Sequence, residues 1–397
     1  MKENLTFVTI FPEIEDVHLI KDVGMIPWAM AHEQGYDSKI LVPSKAAFPR
    51  AGEVPDLQLV PVKRIFKHHT LNCYIWLMQN ARKIDVLHFF HQVKHTRISI
   101  AIYKRLNPKG LVYVHLDCDG TDYGQYTLGL EGNSIKKKIK RWIYHHIFYP
   151  KKFQKDIFWG TQNKAAAENI VGKFPYQNVA YVPDGIRMEK QETPVLYENK
   201  KNVLLTVGRN GTAQKRTDVL LEAFAKAAPQ IEGWELRIVG SIEPSFQSYL
   251  TEYFTLHPEL KDRVFFVGEV QEKAALQQEY AQAKIFCLPS DWESFGIVNV
   301  EAMAAGCTVI TTDYPAARDI VDGERYGRII PFGDSEALAQ KMIELCHNTA
   351  YLKNNCEVVQ KYAYEQFSYD VITDIIHKWI KNKLDQSGKG DRNGYKV

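Results

Sequence analysis

Residues 288–313 read LPSDWESFGIVNVEAMAAGCTVITTD. An apolar run ends at Pro289, a loop carries Asp291 and Glu293, and Phe295-Gly296 opens a helical pattern that closes at Gly306. A second apolar run, TVITTD, follows at once. This is one strand–loop–helix–strand unit, and its acidic loop falls at the carboxyl end of a strand, where open α/β sheets bind their ligands.

Outward from this stretch the same unit recurs. NVLLTVG (202–208), WELRIVG (234–240), RVFFVG (263–268) and IFCLPS (285–290) precede it as buried strands separated by helical patterns. An earlier series comprises LTFVTIF (5–11), DSKILVP (37–43), LQLVPV (57–62), IDVLHFF (84–90) and GLVYVHL (110–116), with DIFWGT (156–161) and NVAYVP (178–183) after them. Segments 71–83 and 95–106 between them read as helices. Continuous apolar strands alternating with helices imply parallel sheets covered on both faces.

The polar stretch 182–201, with two prolines, separates the series. The expected architecture is α/β, with two doubly wound Rossmann-like domains facing each other across a cleft. The first spans 1–190 and the second 191–366. A helix at 367–384 crosses back to the first domain, and 385–397 forms a flexible tail.

Composition narrows the class. Of 397 residues, 45% are hydrophobic and 24% charged, which excludes wholesale disorder, and a net charge of +3 announces no nucleic-acid binder. The six cysteines show no C-x-x-C, and several lie in apolar runs, as buried reduced thiols do. The N-terminal apolar run is too short for a signal peptide, and no run of about 18 apolar residues follows. A cytoplasmic protein is expected.

Two clusters carry the chemistry. Glu293 and Glu301 have seven residues between them; eight helical positions rise about 12 Å, near the span between the two sugar rings of a nucleotide sugar. Gly296 at the helix mouth admits a close backbone approach, and the first-turn N–H groups with the helix dipole favour a diphosphate. The bland alternative is a pair of solvated glutamates beside a turn. In NVLLTVGRNGTAQKRTD (202–218), Gly208 and Arg209 end a strand and Lys215 precedes the next helix. Arg as a fork and Lys as a point charge make a phosphate clamp, or simply a basic surface loop.

Taken with VGRNGTAQK (207–215) and TTDYPAARDIVDGERYGRIIPFGDSEALAQKM (311–342), these motifs make residues 202–345 resemble the family-4 retaining glycosyltransferases of GT-B fold. The resemblance implies a role for each matching position. Arg209 and Lys215 hold the donor diphosphate, and Gly208 and Pro289 line its pocket. Glu293 contacts the donor sugar. Phe295, Gly296 and Ile297 offer backbone N–H groups, and Glu301 grips the ribose. His115, in VYVHLDCDG, stands where the family commonly has a histidine facing the sugar, and Asp184 stands where Asn is usual. The segment FPEIEDVHLIKDVG (11–24) replaces the Gly-Gly loop that many relatives carry after the first strand.

Asp117 and Asp119 form a D-x-D, read as acceptor-side polar residues or a capped turn ahead of a metal site. His88, His91 and His95 invite a metal reading, but with the first on a strand they read as structural or cleft-lining, His91 as an acceptor contact. No metal and no cofactor are expected. Residues 133–155 hold eight Lys/Arg and no Asp or Glu, with Ile135, Ile139, Trp142, Ile143 and Ile147 at helical spacing. That pattern fits an anionic membrane surface and a peripheral enzyme, or a domain helix with a solvated basic face.

The resemblance implies a metal-independent hexosyltransferase that retains anomeric configuration. It would move a sugar, from UDP-hexose or UDP-N-acetylhexosamine first, to a hydroxyl of a glycan, glycolipid or glycoprotein in bacterial surface-glycan synthesis. The alternative is a non-catalytic GT-B subunit that binds carbohydrate or protein beside a partner enzyme. A glycosyl phosphorylase would need a cofactor lysine or second phosphate site, and neither signature is present.

Overall fold

The computed structural model describes residues 4–116, 128–130, 132–186 and 194–392, with 387–392 as backbone only. The chain divides into two compact units, Met1–Gly185 with Ser368–Val397, and Ile186–Phe367.

Among the described residues, the first unit holds seven parallel strands. They are β1 (Thr6–Thr9), β2 (Asp37–Pro43), β3 (Gln58–Val62), β4 (Val86–Phe90), β5 (Leu111–Leu116), β6 (Ile157–Thr161) and β7 (Asn178–Tyr181), in the order β3-β2-β1-β4-β5-β6-β7. β5 explains the continuous apolar reading: Val112, Val114 and Leu116 pack into one core, Leu111 and Tyr113 into the other. Both faces are covered, so no polar alternation is needed. The C-terminal helix Tyr369–Arg392 belongs to this unit and buries Ile372, Ile376 and Ile380 at a spacing of four. Trp379 stacks on Phe158 at 5.1 Å. Each fully buried isoleucine contributes about 1.5–3 kcal/mol.

The second unit repeats the plan with β8 (Lys201–Val207), β9 (Glu235–Val239), β10 (Val264–Gly268), β11 (Ala283–Leu288), β12 (Thr308–Thr312) and β13 (Gly327–Ile330), ordered β10-β9-β8-β11-β12-β13. Val203, Leu205 and Val207 of β8 face one core and Leu204 the other. The chain builds outward from β8 in one direction, then returns to start β11 on its other side. That reversal opens a crevice at the carboxyl ends of β8 and β11.

Three expectations are corrected. The helix expected to stop at Leu384 runs on to Arg392; no proline interrupts it. The basic segment is broken into a helix Ile135–Ile143, a π-helical turn Tyr144–Phe148 and a short helix Lys151–Gln154. Pro150, which cannot donate a backbone hydrogen bond, stands at the break. The loop reading of Glu293 holds, but the eight helical positions reckoned between the glutamates do not: the helix after β11 spans Ile297–Ala304, so a loop as well as a helix separates them.

The five described cysteines are unpaired and buried. Burial pushes the Cys73 thiol up to about 12 and the Cys356 thiol to about 11, so both stay protonated. Among the described residues no helix is long and apolar enough to cross a membrane.

Candidate active site

The loops after β8 and β11 meet at the reversal point of the second sheet. Glycine is what lets the first of them form. A Cβ on Gly240, at the end of β9 with φ +117°, would lie 1.9 Å from the Gly208 carbonyl oxygen. Asn210 closes the same corner, donating from Nδ2 to the Gly208 and Val239 carbonyls, each at 3.0 Å. Lys215 then folds back across Gly208, where a Cβ would stand 3.3 Å from its Cε.

Polar contacts lock the two loops together. The Asp291 amide donates to the Gln214 carbonyl at 2.9 Å, and Gln214 Nε2 to the Trp292 carbonyl at 3.0 Å. Arg216, held in the left-handed region at φ +46°, reaches Asp291 with Nη1 at 3.1 Å and also pairs with Asp218. Lys215 Nζ sits 2.5 Å from Glu293 Oε1. Arg209 is exposed, with Nη2 on Gln214 Oε1 at 3.1 Å. Two ion pairs thus bridge the loops, Asp291 engaged by Arg216 and Glu293 by Lys215.

Behind these pairs the helix Ile297–Ala304 begins. Its N-cap is Gly296 at φ +85°, and no described side chain caps it. A Cβ on Gly296 would fall 2.3 Å from Tyr314 Oη, itself fixed by Asn299 Nδ2 at 2.6 Å, so only glycine fits. The first-turn N–H groups and the positive end of the helix dipole therefore lie beside Glu293 and Lys215. Pro289 is buried at the end of β11. The Phe295 side chain belongs to the core, against Phe367, leaving its backbone for any ligand, while Ile297 is half-buried. Glu301 is 2% exposed and accepts from Tyr280 Oη at 3.0 Å.

In the first unit the sheet reverses between β1 and β4. His91 follows β4 in the left-handed region at φ +58°, and its amide donates to the His115 carbonyl at 2.8 Å. His115, at the end of β5, is fully buried. Its Nδ1 lies 2.8 Å from Tyr113 Oη and its Nε2 3.1 Å from Asp184 Oδ1, while Gln162 Nε2 donates to both Asp184 oxygens at 2.8 and 2.7 Å. The ring expected to face a sugar has both nitrogens engaged inside its own unit. His88 is wholly buried as well, its Nδ1 at 2.9 Å from Thr9 Oγ1, and desolvation together with the nearby His115 holds it well below the usual imidazole range. Asp117 and Asp119 lie outside the described residues, among which no cluster suited to a metal ion occurs.

Gly208, Arg209, Lys215 and Glu293 meet where the two loops join, Pro289, Phe295, Gly296 and Ile297 lie along the same strand–loop–helix segment, and Glu301 stands one turn into that helix against Tyr280; His91 and His115 neighbour each other in the other unit. Gln214, Arg216, Tyr280, Asn299 and Tyr314 were not foreseen. The motif spacing marked their loops, but not which side chains brace them.

Residues 188–366 match the family model described as Glycosyl transferases group 1. The phosphatidyl-myo-inositol mannosyltransferase of Mycobacterium leprae is 31% identical over 192 residues, 46% of this chain and 49% of that protein. The chain spans about half the length of the curated relatives it matches. The solved glycosyltransferase from Rickettsia africae superposes with TM-score 0.70 at 15% identity, covering 96% of this chain and 99% of its own. HepE of Anabaena, in complex with UDP and glucose, gives 0.65 at 16% identity, covering 96% and 100%. At such identity the likeness is one of fold. The match to the glycosyl transferases group 1 model is confined to residues 188–366, in a chain whose two parallel-sheet Rossmann-like units have the GT-B fold.

Proposed function

We propose that this chain is a glycosyltransferase that takes a nucleotide-diphosphate sugar in the crevice of its second unit and passes the sugar to an acceptor hydroxyl. The observation that carries the reading is the meeting of Lys215 and Glu293 at the reversal point, ahead of the open helix N-terminus at Gly296 and of the buried Glu301 one turn further along that helix. Arg209 and Lys215 supply positive charge for the diphosphate, the first-turn N–H groups add to it, and Glu301 suits a pair of ribose hydroxyls. Glu293, already on the Lys215 ammonium, suits the hydroxyls of the sugar.

The reaction breaks the bond from the anomeric carbon to the diphosphate oxygen and forms one to the acceptor oxygen. The acceptor proton leaves with the diphosphate. Retained configuration and independence from a metal are part of the proposal. Catalysis is positioning together with stabilisation of the charge that develops on the leaving group. A UDP sugar is the first choice of donor, supported by the UDP bound in HepE; mannose is the second sugar, from the named activity of the mycobacterial relative. The acceptor class is a bacterial glycan or glycolipid hydroxyl. The unpaired buried thiols support a reducing, cytoplasmic setting.

Calorimetric titration with UDP, GDP, ADP and their sugar conjugates, without added metal, tests the reading. Selective binding of one nucleotide, lost in Glu301→Ala, is the expected result. Absence of binding by all of them overturns it in favour of a non-catalytic subunit.

A further inference from the structure

The helix Ile135–Ile143, IKKKIKRWI, is turned inside out. At 100° per residue, Ile135, Ile139 and Trp142 fall in one stripe roughly 60° wide. A helix that covers a sheet directs such a stripe at the core. Here Ile135 is 76% exposed, Ile139 55% and Trp142 57%, and no residue of the helix is buried. The side toward the domain is held by cations instead. Lys137 Nζ donates to the Gly129 carbonyl and Lys140 Nζ to the Leu128 carbonyl, both at 2.7 Å. Lys140 also lies over the ring of the buried Tyr144.

The outward stripe continues and is flanked by charge. Trp142 stacks on His146 at 4.9 Å, and Ile147 in the following π-helical turn is exposed. Lys136 and Lys138 are exposed and stand roughly 70° to 90° to either side of the stripe. Residues 133–155 contain eight Lys/Arg and no carboxylate.

We infer that this face is a docking surface for an anionic lipid bilayer, with the isoleucines and Trp142 entering the headgroup boundary and the lysines meeting lipid phosphates. Charge complementarity selects that occupant. A second copy docked symmetrically on the stripe would bring two such cation clusters together, at a cost in repulsion. A nucleic acid would engage the lysines and leave the isoleucines in water. A bilayer accommodates both, since interfacial helices combine an apolar face, an interfacial tryptophan and basic flanks. The surface stands independently of the donor reading, because none of its residues belongs to the nucleotide crevice.

The test is cosedimentation of the full chain with vesicles of phosphatidylcholine alone and of phosphatidylcholine with an equal part of phosphatidylglycerol. Binding to the anionic vesicles only is expected. Ile139→Ser with Trp142→Ser, and separately Lys136→Glu with Lys138→Glu, should each lower partitioning at least tenfold while the melting temperature stays put, because these side chains are exposed. Trp142→Leu should keep binding but lose the tryptophan quenching by brominated lipid. Absence of binding to anionic vesicles overturns the inference. So does binding that survives Ile139→Ser with Trp142→Ser, or a dimer in solution that this pair of substitutions dissociates.

Discussion

Lys215 and Glu293, separated by 78 positions, meet at 2.5 Å across the loops after β8 and β11, with side chains 15% and 10% exposed. Each is half of the other's environment. The carboxylate offsets the ammonium charge, so under the proposed function the two residues would oppose each other in nucleotide binding while both serve transfer. Glu293→Ala should bind UDP as tightly as the parent or more tightly, yet lose nearly all transfer. Arg209→Ala with Lys215→Ala should weaken UDP binding, each charge-assisted contact being worth about 1.5–3 kcal/mol, or ten- to a hundredfold. Calorimetry on both variants checks this; weakened UDP binding by Glu293→Ala would remove the opposition.

Glu301 depends on a residue that no motif names. Tyr280 Oη, fully buried, donates to Glu301 Oε2 at 3.0 Å. Tyr280→Phe removes one donor from a buried carboxylate, which should cost about 1–3 kcal/mol of stability. Nucleotide affinity should fall less than in Glu301→Ala, since the carboxylate stays. Urea unfolding paired with UDP titration separates the two effects; equal loss of affinity in both variants would make Tyr280 a direct contact.

The sheets were legible because their strands are buried on both faces, which makes most of β5 and β8 apolar without alternation. The donor loops were legible because glycine, cations and glutamates recur there at strand ends. What escaped reading is orientation and long-range pairing. The 3.6-residue period of 135–143 predicts an amphipathic helix but not that Lys137 and Lys140 would turn inward and the isoleucines outward. Nor does the sequence show that the two nitrogens of His115 are occupied, since Asp184 stands 69 positions away.

Burial of His88 makes a pH prediction. In the unfolded chain its imidazole takes a proton near pH 6.5; in the folded chain desolvation holds its affinity for the proton well below that. Below pH 6.5 the unfolded state therefore binds the extra proton, so stability is full above that pH and declines as pH falls toward the folded value, by up to about 1.4 kcal/mol per pH unit. His69, His95 and His377 are lowered in the same direction. Thermal unfolding between pH 7.5 and 5 should fall steadily, and His88→Gln should flatten the slope by one proton's share. An unchanged slope would mean another group carries it.

The hydrogen bonds of Asp184 are ones that an asparagine could largely reproduce. The Asp184 carboxylate can only accept, so a neutral His115 ring carries its proton on Nε2, facing Asp184, and its Nδ1 accepts from the Tyr113 hydroxyl, which burial, reinforced by Asp184 and Asp22, keeps protonated. Asp184 also accepts from Gln162 Nε2, and Gln162 Oε1 is buried with no hydrogen-bond partner among the described atoms. An asparagine at 184 would keep its oxygen on His115 and turn its amide toward Gln162. Gln162 answers by rotating its own amide, which presents the oxygen now left unmatched. Asp184→Asn should thus unfold in urea at nearly the parent midpoint, whereas Asp184→Ala strands the His115 and Gln162 donors and should cost about 1–3 kcal/mol. Equal losses in the two variants would refute the amide rotation. Transfer lost in Asp184→Asn at unchanged stability would assign the carboxylate's charge to catalysis through His115.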